Sequence, residues 1–200
     1  MDNLVLVGFS CSGKTTLGRN MARRLHMRFV DSDRFIEDVT GRSIPDIFRE
    51  DGEAAFRAIE REAIAQIAAE RRQVVSTGGG AFVDPANRDA LRNGNLVVHL
   101  QVRPETVVDR LRNSRSGRPR PLLESEDPLA RVMELMEARK EAYTAAHVTI
   151  GVDGRSRYEL VGELTRRFLA WQRQRRAAPS SPDHAPALLR PAQHERGTFR

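Results

Sequence analysis

The sequence predicts an α/β protein: a three-layer α/β/α sandwich around a mainly parallel five-stranded sheet. Three observations predict it. Short apolar runs recur without polar alternation, as in strands covered on both faces. The segments between them carry apolar residues three and four apart, the period of helices packed on such a sheet. Two of the runs end in glycine-rich stretches, where a parallel sheet places its ligand-binding loops.

In chain order, the run Leu4–Val7 reads as a strand, ends at Gly8 and leads into a helical pattern over Lys14–Leu25. Phe29 and Val30 form a short second strand before Asp31. Residues 34–70 read as helices, with Ile44, Ile47, Phe48, Phe56, Ile59, Ile64 and Ile67 on their apolar faces. Residues 74–76 and 96–100 are further strands, with a helix at 85–91 between them. The stretch 113–128, "NSRSGRPRPLLESEDP", lacks apolar periodicity and reads as a mobile loop. A helix at 129–143, a strand near 148–152 and a helix at 158–173 complete one domain over residues 1–173. Residues 174–200 contain four prolines and no periodicity, so a disordered tail is expected.

The 200 residues fit a single buried core, and their formal charge is +6. Lys14 and Lys140 are the only lysines, which makes both conspicuous among the arginines. The basic balance suits anionic small molecules, but aromatic residues make up only 6% and do not interleave with the basic ones. Nucleic-acid binding is therefore not expected. With no long apolar run and no secretory pattern, no membrane association is expected and the expectation is cytoplasmic. The single cysteine, Cys11, excludes an intramolecular disulfide. No heptad pattern appears, so a monomer is expected.

Residues 8–15, "GFSCSGKT", match the phosphate-binding pattern G-x-x-x-x-G-K-[ST] at Gly8, Gly13, Lys14 and Thr15, between a strand and a helix. Glycines let successive N–H groups wrap a phosphate, and the helix N-terminus adds its positive dipole end. Cys11, Ser12 and Thr16 belong to the same nucleotide-binding stretch. Lys14 would bridge the β- and γ-phosphates of ATP, and the Thr15 hydroxyl would take a place on Mg²⁺. Cys11 is either a reactive thiol in a cationic loop or a small residue filling it.

No guanine-reading tetrad and no protein-kinase signature occurs, and the short layout, with one inserted helical pair at 34–70 and one basic loop at 113–128, is that of small nucleoside- or metabolite-phosphorylating enzymes. "DSD" follows the second strand, and alternation along an extended segment places Asp31 and Asp33 on one face. One would serve the metal while the other accepts an acceptor's hydroxyl proton; alternatively, Asp33 caps the helix that begins with "RFIEDV". "VVSTGGG" is a strand ending in Gly78, Gly79 and Gly80, whose bare amides suit a ligand's oxygens.

Together "GFSCSGKTT", "DSD", "SIPDIFREDGEAAFRAIE", "STGGGAF", "RPLL" and "EARKEAY" resemble the shikimate kinases, P-loop enzymes with a nucleoside-monophosphate-kinase-like fold. The resemblance runs from about residue 4 to residue 169. It implies ATP-dependent phosphorylation of the 3-hydroxyl of shikimate, with Mg²⁺, in aromatic amino acid biosynthesis. It implies that Asp33 binds the acceptor hydroxyls and is the base, and that Asp31 is the metal residue. Arg57 and Arg139 match the pair that grips the shikimate carboxylate, Gly79 and Gly80 the amides that touch the acceptor, and Phe48 and Phe56 the wall beside its ring. Read without the resemblance, Arg57 is a surface partner of Glu60 and Arg139 part of a solvated face.

By the same resemblance, residues 34–70 are the substrate-binding helices, 113–128 is a lid that closes over the substrates, and Arg120 of "RPLL" meets the transferring phosphoryl group. Arg118 is its substitute if the register differs, and Arg115 the residue that packs on adenine. Cys11 departs from the family, which has glycine there. A gluconate-type kinase is the nearest alternative, separable by whether Arg57 and Arg139 face the acceptor pocket together. A nucleic-acid-associated ATP-binding protein is the more distant one.

Overall fold

The computed structural model describes residues 2–113 and 125–177. Within them the strands are β1 (Leu4–Val7), β2 (Arg28–Asp31), β3 (Gln73–Ser76), β4 (Leu96–Gln101) and β5 (Val148–Gly151). The helices are α1 (Lys14–Leu25), α2 (Ser32–Thr40), α3 (Ile44–Glu50), α4 (Gly52–Ala69), α5 (Pro85–Arg92), α6 (Pro104–Asn113), α7 (Pro128–Thr144) and α8 (Arg157–Ala177), with a 3₁₀ turn at Ala81–Val83. The sheet order is β2-β3-β1-β4-β5, and every pairing is parallel.

Side chains alternate across a strand, so β1 divides the core by itself. Leu4 and Leu6 face a layer built from Leu17 and Met21 of α1, Val107 and Leu111 of α6, and Leu164 and Phe168 of α8. Val5 and Val7 face Ile64 and Ile67 of α4, Leu91 of α5 and Tyr143 of α7. Both layers are wholly apolar at their centre, which is why β1 carries no polar residue. A third small core, Ile36, Ile47, Phe56 and Ala63, joins α2, α3 and α4 into the insertion that flanks the carboxyl end of β2.

Three elements differ from the sequence reading. Helix α6 lies where the sequence analysis reads none. Its buried stripe is only Val107, Val108 and Leu111 amid charged neighbours, too short for periodicity to stand out. Helix α2 starts at Ser32, so Asp33 stands in its first turn rather than on an extended segment or at a cap. The capping position falls to Asp31, whose side chain makes no capping bond. Helix α8 runs on to Ala177, past the boundary expected at residue 173; in its last turn Arg175 pairs with Asp2 at 3.3 Å and lies over the Trp171 ring. The expected tail beyond 177 and most of the expected lid lie outside the described residues, and so do Arg115, Arg118 and Arg120.

Candidate active site

The loops at the carboxyl ends of β1, β2 and β3 meet in one place. The first wraps from Gly8 to Gly13 and opens α1. Gly8 has φ +141°, and a Cβ there would lie 2.6 Å from the Leu100 carbonyl oxygen, so only glycine fits. Gly13 (φ +93°) turns the chain into α1 with no side-chain cap, leaving the first amides of the helix unclaimed by a side chain. Cys11 also sits in the left-handed region at φ +61°, which explains why glycine suits this position.

Lys14 is buried, and its ammonium donates to the carbonyls of Gly8 and Phe9, both at 2.8 Å. Burial lowers its pKa to about 8, opposed by the negative charges of Asp33 and Asp31. The Ser12 hydroxyl is buried and, among the described residues, has no hydrogen-bond partner, an open position for a phosphate oxygen. A cleft of about 890 Å³ runs outside this loop, lined by Cys11, Lys14, Thr16, Asp31, Asp33 and Arg110, among others. Arg110 donates to the Cys11 carbonyl at 2.8 Å. The sequence reading missed Arg110 because it missed the helix that carries it.

The carboxylates of "DSD" sit beside this cleft in different settings. Thr15 donates to Asp31 Oδ2 at 2.8 Å, with the Ser76 hydroxyl 3.3 Å from Thr15 Oγ1. Hydroxyl and carboxylate oxygens at one spot are the donor set a magnesium ion accepts, with phosphates and waters completing its shell. Asp33 points inward from α2, and burial, reinforced by the Asp31 charge, pushes its carboxyl up to about 6. The extended alternation does not bring the two together. A strand end and the first turn of the next helix do.

The glycine loop after β3 packs on all of this. Gly78 donates to the buried Ser32 hydroxyl at 2.8 Å and lies against the Asp33 carboxylate. A Cβ on Gly79 would lie 3.0 Å from Ser10 Oγ, and one on Gly80 would lie 3.2 Å from Arg57 Nη1. Arg139 donates to the Gly79 carbonyl at 3.1 Å, with its guanidinium 5.2 Å from the centre of the Phe9 ring. Two guanidiniums, from α4 and α7, thus converge on neighbouring glycines. The N–H groups of Gly79 and Gly80 donate to no acceptor among the described residues.

Arg57 does pair with Glu60 at 2.8 Å, but this is no surface pair: the Glu60 side chain is 2% exposed. Glu53 holds the other side of the guanidinium at 3.0 Å. Arg139 is half-buried rather than solvated. Phe48 and Phe56 pack with ring centres 4.5 Å apart and planes tilted by 33°, and Arg57 lies 5.2 Å from the Phe56 ring centre. Pairwise contacts thus link Phe48 of α3 through Phe56 and Arg57 of α4 and the glycine loop to Arg139 of α7.

Comparisons with known proteins agree with this arrangement. The shikimate kinase family model matches residues 10–169. A shikimate kinase of Thermus thermophilus is 44% identical over 82% of this chain and 89% of its own length. One of Symbiobacterium thermophilum is 47% identical over 81% and 93%. The structure of the shikimate kinase from Acinetobacter baumannii in complex with shikimate superposes with a TM-score of 0.78 at 34% identity, covering 86% of this chain and 95% of that one. A gluconokinase from Sinorhizobium meliloti shares the fold alone, at 20% identity and a TM-score of 0.52. With sequence, fold and loop geometry in agreement over most of its length, the chain belongs to the shikimate kinase family.

Proposed function

We propose that the chain transfers the terminal phosphoryl group of ATP to the 3-hydroxyl of shikimate, giving shikimate 3-phosphate and ADP. The observation that carries the acceptor assignment is the convergence of Arg57 and Arg139 on Gly79 and Gly80, across from a buried carboxylate. A planar guanidinium fork matches a carboxylate in two-point fashion, and the Phe48–Phe56 ring pair beside the two forks suits a cyclic acid rather than the open-chain, fully hydroxylated gluconate.

In this reading the shikimate carboxylate lies between the two arginines and its ring lies against Phe48 and Phe56. The Gly79 and Gly80 amides and Asp33 take its hydroxyls. Asp33, ionised above about pH 6, accepts the 3-hydroxyl proton as that oxygen attacks the γ-phosphorus and ADP departs. Lys14 exchanges its two loop carbonyls for phosphate oxygens, and Gly8, Cys11, Ser12, Gly13, Thr15 and Thr16 supply the remaining phosphate contacts. Thr15 and Asp31 would hold Mg²⁺, which when bound neutralises charge on the phosphates. Arg120 would reach the transferring group and Arg115 the adenine, both from the segment outside the described residues.

The test is ADP release from Mg·ATP with shikimate, with gluconate and with neither. Release that requires shikimate and yields shikimate 3-phosphate supports the reading. Release with gluconate, or equal release without acceptor, overturns it.

A further inference from the structure

The Gly79 carbonyl accepts two hydrogen bonds from α7: from Tyr143 Oη at 2.7 Å and from Arg139 Nη1 at 3.1 Å. A carbonyl oxygen offers two lone pairs, so this acceptor is saturated and one helix sets the direction of its peptide plane. The peptide is planar and trans, so the Gly80 N–H points opposite to the Gly79 C=O. Holding the carbonyl against α7 therefore aims the Gly80 amide away from that helix. That amide donates to nothing among the described residues.

Tyr143 is itself held. Its ring stacks on His99 with centres 4.6 Å apart and planes 11° apart. His99 in turn lies against the nucleotide loop, with its Cδ2 3.4 Å from where a Gly8 Cβ would be. Burial raises the pKa of the phenol above its ordinary value, so the hydroxyl keeps the proton it donates. The ring also borders a cavity of about 700 Å³ lined by Phe9, Val102, Met133 and Met136, among others. Its other contacts are with the core layer of Val5 and Val7, so packing holds the ring and the hydroxyl bond carries that placement to the glycine loop.

We infer that Tyr143 is a positioning residue for the acceptor: through its hydroxyl it orients the Gly79–Gly80 peptide so that the Gly80 amide addresses a hydroxyl of the bound shikimate. The inference rests on the function proposed above. Arg139 alone cannot replace this role, because its guanidinium would be drawn toward the acceptor carboxylate when that group binds.

Tyr143→Phe keeps the ring and its stack and deletes only the hydroxyl. The expected result is a shikimate KM raised about three- to tenfold, the range of one lost net hydrogen bond, with the ATP KM within about twofold and the melting temperature nearly unchanged. A wild-type shikimate KM in Tyr143→Phe overturns the inference, as does an equal rise in both KM values, which marks a general structural role. Wild-type enzyme that releases ADP without needing shikimate overturns the functional reading as well, so the two failures are distinguishable.

Discussion

Asp33 packs its Oδ1 against Gly78 so closely that any Cβ at that glycine would overlap it. The neighbouring Ser32 hydroxyl accepts the Gly78 N–H at 2.8 Å, so helix α2 and the glycine loop are locked at two adjacent points. The carboxylate thus occupies the volume that every other residue type at position 78 would need.

Gly78→Ala consequently displaces the Asp33 carboxylate without removing it. A shift of the order of 1 Å in a reacting group costs about 100-fold in rate, and kcat is expected to fall by that order. Circular dichroism and thermal melting check that the fold persists. Wild-type kcat in this variant would show that Asp33 needs no such placement.

The pH profile follows from two displaced pKa values in the free enzyme. Asp33 must be ionised to accept a proton, so kcat/KM falls as pH drops below about 6. Lys14 must be charged to meet phosphates, so kcat/KM for ATP falls again as pH rises above about 8. Lys14→Arg, always charged, is expected to remove the alkaline limb while lowering the plateau.

The same carboxylate is expected to cost stability. Its folded pKa of about 6 exceeds the ordinary value of about 3.9, so the folded state binds more protons than the unfolded state between these values. Stability then falls as pH rises through about 4 to 6 and stays lower above that window. Asp33→Asn is expected to gain about 1–2 kcal/mol at pH 7 while losing turnover, and to lose most of that advantage below pH 4. Urea unfolding at both pH values measures it.

The two arginines are expected to differ in what their removal does to the fold. Arg57→Ala leaves the buried Glu60 carboxylate without its closest cation, at a cost of about 3 kcal/mol or more, and Glu60→Gln in the same chain is expected to recover part of it. Arg139→Ala removes a half-buried group that donates to a carbonyl still bound by Tyr143. Its stability is expected to change by no more than about 1.5 kcal/mol while the shikimate KM rises more than tenfold. Denaturant melts alongside shikimate titrations separate these outcomes.

Cys11 stands in a backbone conformation that costs a non-glycine residue of the order of 1 kcal/mol, and it lines the nucleotide cleft. Cys11→Gly is expected to keep activity and lose sensitivity to thiol alkylation. In the wild type, alkylation is expected to inhibit and Mg·ATP to protect.

Much of this was legible in the chain because it is local. The nucleotide loop and its flanking strand and helix lie within residues 4–25, and the buried strands β3 and β4 announce themselves as apolar runs. What escaped depends on contacts between distant segments. Asp31 and Asp33 are neighbours through a strand-to-helix junction that alternation does not describe. The burial of Glu60 is set by how α4 lies beside the glycine loop, not by its spacing from Arg57. The Tyr143 hydroxyl meets the Gly79 carbonyl 64 residues away, a contact that no local pattern around Tyr143 announces. Arg110 was hidden with α6, whose three buried residues are too few to set a period.

The most direct test of the account is ADP production from Mg·ATP, with and without shikimate, by the wild type, Asp33→Asn and Arg139→Ala. Turnover that requires shikimate in the wild type, collapses in Asp33→Asn and in Arg139→Ala returns only at far higher shikimate concentrations is the predicted result. Shikimate-independent ADP release that neither substitution changes would contradict it.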